Sequence, residues 1–137
     1  MRSSYHSPQP PLSEFIYKFW LFEGYTAPHA KERLLPDGTV QLIFNLKEDR
    51  VRVYDRNGGE NYESISGSLV SGAHSQYFVI DTAEQSDVLG VHFRPGGAFP
   101  FLGMPAGELR NRQVGLQDLW GREASELRER LLAARTH

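Results

Sequence analysis

Two runs of this chain alternate apolar and polar residues with a period of two. Val40, Leu42, Phe44 and Leu46 carry the first, and Leu89, Val91 and Phe93 the second. Successive side chains of a strand point to opposite faces, so this period marks strands with one buried face. Each run abuts a tight turn. Pro36-Asp37-Gly38 precedes the first: proline presets φ, aspartate bonds its own backbone and glycine accepts positive φ. Arg94-Pro95-Gly96-Gly97 closes the second. The remaining faces are mixed. Gln41, Ile43 and Asn45 form one of them, and Val88, Gly90, His92 and Arg94 the other. Such a face either meets solvent or lines a cavity with a few placed polar groups.

Further strands follow from the same signal. Phe15, Tyr17 and Phe19 alternate within an aromatic run at residues 12–22, which suggests a strand, with a helical turn near Ser13 left open as the alternative. Val51 and Val53 alternate at residues 50–55. Asn57-Gly58-Gly59 then signals a hairpin with a return strand near residues 62–65. Leu69-Val70 lies in a strand rich in serine and glycine, and residues 76–81 and 88–94 are the next two. Residues 1–11, with Pro8, Pro10 and Pro11, read as an extended arm. Past Gly97 the pattern turns helical. Single turns are expected at 98–102 and 105–109, and a longer helix from Asp118 or Gly121 to Arg135 with Leu127, Leu131 and Ala134 on one face.

At 137 residues the chain is expected to be one domain. Strands first and helices last predict a mainly β fold with C-terminal helices. The expected form is a cupin-like β-barrel or sandwich of about seven or more strands over residues 12–97, with a helical segment over 98–137. The mixed arginines and glutamates of the last helix give it a solvated outer face. Its leucine stripe is expected to pack on the barrel or on a partner subunit.

Several function classes find no support. The net charge of −2 gives no basic face for nucleic acid. There is no cysteine, which removes disulfides, thiolate metal sites and cysteine nucleophiles. No apolar run approaches the roughly 18 residues of a membrane span, and the first residues lack the apolar stretch of a signal peptide, so no membrane partner and a cytoplasmic location are expected. No Gly-x-Ser-x-Gly elbow occurs. No catalytic residue is assigned, and neither enzymatic activity nor a cofactor is expected. Of the five histidines (His6, His29, His74, His92 and His137) none forms a His-x-His pair. His74 and His92 could still meet across neighbouring strands, which leaves a cupin-like metal-dependent enzyme as an alternative. The candidate ligand-binding residues are Asn45, His74, His92 and Arg94, with no metal ligand assigned.

The same stretches carry a resemblance. Leu34-Leu35-Pro36-Asp37-Gly38-Thr39-Val40-Gln41-Leu42-Ile43-Phe44-Asn45-Leu46, Ser71-Gly72-Ala73-His74-Ser75 and Leu89-Gly90-Val91-His92-Phe93-Arg94-Pro95-Gly96-Gly97 resemble the N-terminal domain of AraC-type bacterial transcription regulators. The similarity continues through Phe101-Leu102-Gly103-Met104-Pro105-Ala106, Glu108-Leu109 and Val114-Gly115-Leu116-Gln117-Asp118-Leu119-Trp120-Gly121, and covers roughly residues 9–135. It implies an effector-sensing or dimerisation domain with a cupin-like barrel and trailing helices. The partners it implies are a small-molecule effector and a second copy of the chain. In that family two helix-turn-helix units follow. No such pattern lies within these residues, so DNA contact is expected only through a domain missing from this sequence. A dimerisation module with no ligand is the remaining alternative.

Overall fold

The computed structural model describes residues 2–24, 31–34, 39–54, 61–73, 78–81 and 87–134. Ten strands lie in these segments: β1 (Arg2–His6), β2 (Ile16–Glu23), β3 (Lys31–Leu34), β4 (Gln41–Asn45), β5 (Arg50–Tyr54), β6 (Tyr62–Ser66), β7 (Ser68–Ser71), β8 (Phe78–Asp81), β9 (Val88–Phe93) and β10 (Gln113–Gly115). Short 3-10 turns form at Leu12–Glu14 and Ala106–Leu109. The α-helices are α1 (Phe99–Leu102), α2 (Gln117–Trp120) and α3 (Arg122–Ala134).

The strands form two sheets, β1-β2-β9-β4-β7-β10 and β3-β8-β5-β6. Each described pairing is antiparallel. The inner eight strands, β2-β9-β4-β7 against β3-β8-β5-β6, have the order of a double-sheet jelly roll, the architecture that cupins share. The expected mainly β fold with C-terminal helices is therefore the observed one.

Two boundaries differ from expectation. The arm expected at residues 1–11 is a strand over Arg2–His6, paired with β2 from Arg2↔Glu23 to His6↔Phe19. Without it β2 would present a row of unpaired N–H and C=O groups, and ladder bonds form whatever the side-chain pattern. The prolines after it have no N–H to give a ladder, and the strand ends before them. The C-terminal helical segment expected over 98–137 also contains a strand, β10, which pairs with β7 from Gln113↔Ser71 to Gly115↔Leu69. Three residues are too few to show alternation. Of the two starts expected for the long helix, the one at Gly121 is observed: α3 begins at Arg122, and the separate turn α2 precedes it. Pro36-Asp37-Gly38, Asn57-Gly58-Gly59, His29, His74 and His137 lie outside the described residues.

One face of the first sheet is covered by the C-terminal segment. Leu42, Phe44, Val70, Val91 and Phe93 pack against Leu102, Leu109, Leu116 and Ala124 from the C-terminal segment. Phe93 is 2% exposed, as its alternation predicts, and Leu116 is completely covered. Each such side chain contributes about 1.5–3 kcal/mol on leaving water. The leucine stripe of α3 joins this cluster through the half-buried Leu127 and Leu131, so it packs on the barrel. The Trp120 indole Nε1 donates to the Phe101 carbonyl at 2.8 Å and joins α2 to α1.

Helix α3 is also fastened by Arg128. Its Nε and Nη2 both donate to the Asn45 carbonyl, at 3.1 and 2.8 Å, and its Nε lies 3.7 Å from Asp49 Oδ1. Among the described residues no helix is long and apolar enough to cross a membrane.

Candidate functional site

The other face of the first sheet looks toward the second sheet. Register sets what stands on it. Lys18, His92, Gln41 and Ser71 form one row across β2, β9, β4 and β7; Trp20, Gly90, Ile43 and Leu69 form the next; Phe22, Val88 and Asn45 form a third. Directly paired residues share a face. Val88 and Leu69 are buried here, whereas Trp20, Gln41, Ile43 and His92 are only half-buried. Water therefore reaches the wall at the end where β2 and β4 begin and β7 and β9 finish.

Gly90 shapes the middle row. A Cβ at this position would run into Cε2, Cζ2 and Nε1 of the Trp20 indole, which lies across the strand on the glycine. The ring is held there at its edge, where Nε1 donates to Gln41 Oε1 at 3.1 Å. A planar aromatic surface is thus fixed against the sheet by the absence of one side chain and the presence of one amide.

A β-bulge shapes the outer row. Ile16 pairs with Phe93 and Lys18 with His92, which leaves Tyr17 as an extra residue on β2. Bulges re-aim side chains. Tyr17 meets the His92 ring edge-on at 5.4 Å between centroids. The Arg94 guanidinium carbon and Lys18 Nζ each stand 5.5 Å from the Tyr17 ring centre, and Lys18 Nζ stands 5.0 Å from that of Tyr5. Tyr17 and Tyr5 are 49% and 61% exposed. Arg94 is positioned from behind, because its Nε donates to the Ser13 carbonyl at 2.7 Å.

The chain then reverses. Gly97 N–H donates to the Arg94 carbonyl at 2.8 Å, with Pro95 second and Gly96 third at φ +73, the signature of a type II turn. At this end Arg94 lines a small, mostly apolar cavity of about 210 Å³ with Thr39, Val40, Ala73, Ala98 and Phe99. A wider, polar cleft of about 510 Å³ runs between β6 and β10, past Glu63, Ser66, Arg112, Gln113, Gln117 and Asp118. Ligand sites are mostly apolar with few convergent polar groups, which favours the Arg94 end.

The structure thus brings His92 and Arg94 together and separates Asn45 from them. Asn45 sits at the far end of β4, opposite Val88 and fully buried. Its Nδ2 donates to the Arg50 carbonyl at 2.8 Å, and its Oδ1 accepts from the N–H groups of Lys47 and Glu48 at 3.0 and 3.2 Å. The side chain fastens the β4–β5 turn and does not face the wall beside His92. His74 lies outside the described residues, so its meeting with His92 is not described. Among the described residues no group of three or more His, Cys, Asp or Glu could hold a metal ion.

Lys18 and Tyr17 are the residues that sequence reasoning missed. Their placement depends on the bulge, which interrupts the alternation that would have flagged them. From sequence Trp20 reads as either a cavity-wall or a core aromatic, with core packing favoured, and the pairing with Gly90 puts it on the wall.

Comparison with curated proteins and with solved structures gives no match. A family model does match, over residues 4–115, a span that runs from β1 through β10 and includes the whole wall just described. The chain belongs to the family described as a domain of unknown function (DUF6597).

Proposed function

We propose that this chain is the sensing and dimerisation domain of an AraC-type transcription regulator in the cytoplasm. It binds a small-molecule effector at the Arg94 end of the first sheet. It passes that event to a DNA-binding helix-turn-helix domain elsewhere in the regulator, and it catalyses no reaction. The observation that carries this reading is the double duty of β9. Gly90 and His92 stand on the ligand-facing wall, while Leu89, Val91 and Phe93, one residue away on the same strand, pack on the face the C-terminal helices cover. A ligand that shifts β9 therefore shifts the surface on which α1, α2 and α3 rest. Coupling of this kind requires the ligand to favour one of two arrangements, since equal binding to both would shift nothing. The leucine stripe of α3 keeps half-exposed apolar area that a second copy can cover.

Two measurements test the proposal together. Thermal-shift screening of a metabolite library is expected to give stabilising hits, and light scattering is expected to show a dimer whose dissociation changes with those hits. A monomer at all concentrations with no hit refutes it.

A further inference from the structure

We infer that the ligand taken at the Arg94 end is a small anion, a carboxylate or phosphate carried on an apolar body, held by Lys18 and Arg94 beside Tyr17. This deepens the sensor reading and rests on it.

The chain as a whole is net negative, at −2. Two positive groups nevertheless meet on the wall, where Lys18 and Arg94 each stand 5.5 Å from the centre of the exposed Tyr17 ring. Two arginines elsewhere on the fold have acidic neighbours: Arg50 Nε is 3.2 Å from Glu48 Oε2, and Arg128 Nε is 3.7 Å from Asp49 Oδ1. Lys18 and Arg94 have no such partner among the described residues. The contacts of Lys18 are two tyrosine rings, and those of Arg94 are the Tyr17 ring and the Ser13 carbonyl. Neither cation has a counter-charge in place, and an anion beside Tyr17 supplies one.

The geometry suits a carboxylate or phosphate in particular. Only Nε of Arg94 is committed, at 2.7 Å to Ser13. The two Nη groups remain for the anion's oxygens, to which guanidinium N–H groups bond strongly. That single backbone bond also fixes the arginine before the ligand arrives, which lowers the ordering cost of binding. The apolar body has the cavity walls at Val40, Ala98 and Phe99 beside Arg94, and the Trp20 indole stands one row from Lys18 on the wall. That cavity, about 210 Å³, is below the usual roughly 300–1,000 Å³ of ligand pockets, so the molecule is small. Two cations on a net negative chain are far short of the basic surface that a nucleic acid or an anionic membrane requires.

The test uses the whole chain, with benzoate, octanoate and inorganic phosphate as probes and benzamide as the neutral control. Binding is read from the indole N–H resonance of Trp20, assigned with Trp20→Phe. At least one anion is expected to move that resonance saturably, with benzamide about tenfold or more weaker. Lys18→Gln and Arg94→Gln are each expected to weaken the anion about tenfold, and Arg94→Lys to weaken it by less. Phosphate binding as well as benzoate would show that charge alone suffices. Octanoate or benzoate binding without phosphate would show that the apolar body is required. If benzamide binds as well as benzoate, or if Lys18→Gln and Arg94→Gln bind like the wild type, the anion is wrong while a sensor of neutral molecules survives. No saturable shift with any anion into the tens of millimolar range also overturns the inference. In that case the library screen and the dimer measurement still judge the sensor reading separately.

Discussion

Gly90→Ala probes the wall through one methyl group. The added Cβ would occupy space now filled by Cε2, Cζ2 and Nε1 of Trp20, so the indole must lift off the sheet. Overpacking of this kind costs about 1–3 kcal/mol. Lifting the ring also breaks the 3.1 Å bond from Nε1 to Gln41 Oε1, worth about 0.5–1.5 kcal/mol. The ring is half-buried and can move partly into solvent, which keeps the sum toward the lower end, about 2–3 kcal/mol. Urea unfolding followed by far-UV circular dichroism measures the loss, and the decisive comparison is a double-mutant cycle. In a Trp20→Ala background the new methyl meets no indole, so Gly90→Ala is expected to cost less than about 0.5 kcal/mol. An equal penalty in both backgrounds would place the strain in the β9 backbone and refute the account of Trp20 as the reason for glycine. A penalty near zero in the wild type would refute the close packing itself.

Three further outcomes follow from other parts of the fold. Arg128→Ala removes two donors from the Asn45 carbonyl and is expected to cost about 1.5–3 kcal/mol, with hydrogen exchange in α3 rising before exchange in β4 and β9. Asn45→Ala deletes three bonds of a fully buried side chain and is expected to cost about 2–4 kcal/mol by urea unfolding, while anion affinity at the Arg94 end stays within about twofold. Ser68→Ala removes a buried hydroxyl that has no partner among the described residues, and it is expected to leave stability unchanged or raise it by up to about 1 kcal/mol in the same assay.

Much of the architecture is written in the period-two alternation. The runs through Val40–Leu46 and Leu89–Phe93 become β4 and β9, and the burial of Phe93 against the half-exposure of His92 follows from that period alone. Other features arise from pairing and carry no local signature. Strand β1 is Arg-Ser-Ser-Tyr-His, with no apolar face, and it forms because β2 has an open edge. The site is less legible still. Trp20 and Gly90 are 70 positions apart, and only their register makes the glycine a floor for the ring. Tyr17 and Lys18 reach His92 through one extra residue in β2, which alternation cannot show because it breaks the alternation. Asn45 looks like a ligand residue on a mixed face. Its actual partners are the N–H groups two and three residues further on and the Arg50 carbonyl, a turn that a polar residue at a strand end can always make.

The edge position of β1 bears on how the protein behaves in solution. Its five residues cover the outer side of β2, whose run Phe19-Trp20-Leu21-Phe22 is the most apolar and aromatic strand segment in the chain. A version of the chain beginning at Pro8 would retain the jelly roll, the helices and the wall, yet it would leave that run as a long, sticky, unpaired edge. The short, polar first strand thus acts as a guard against aggregation. Trimming it as a dispensable tail would trade a folded monomer or dimer for material that precipitates.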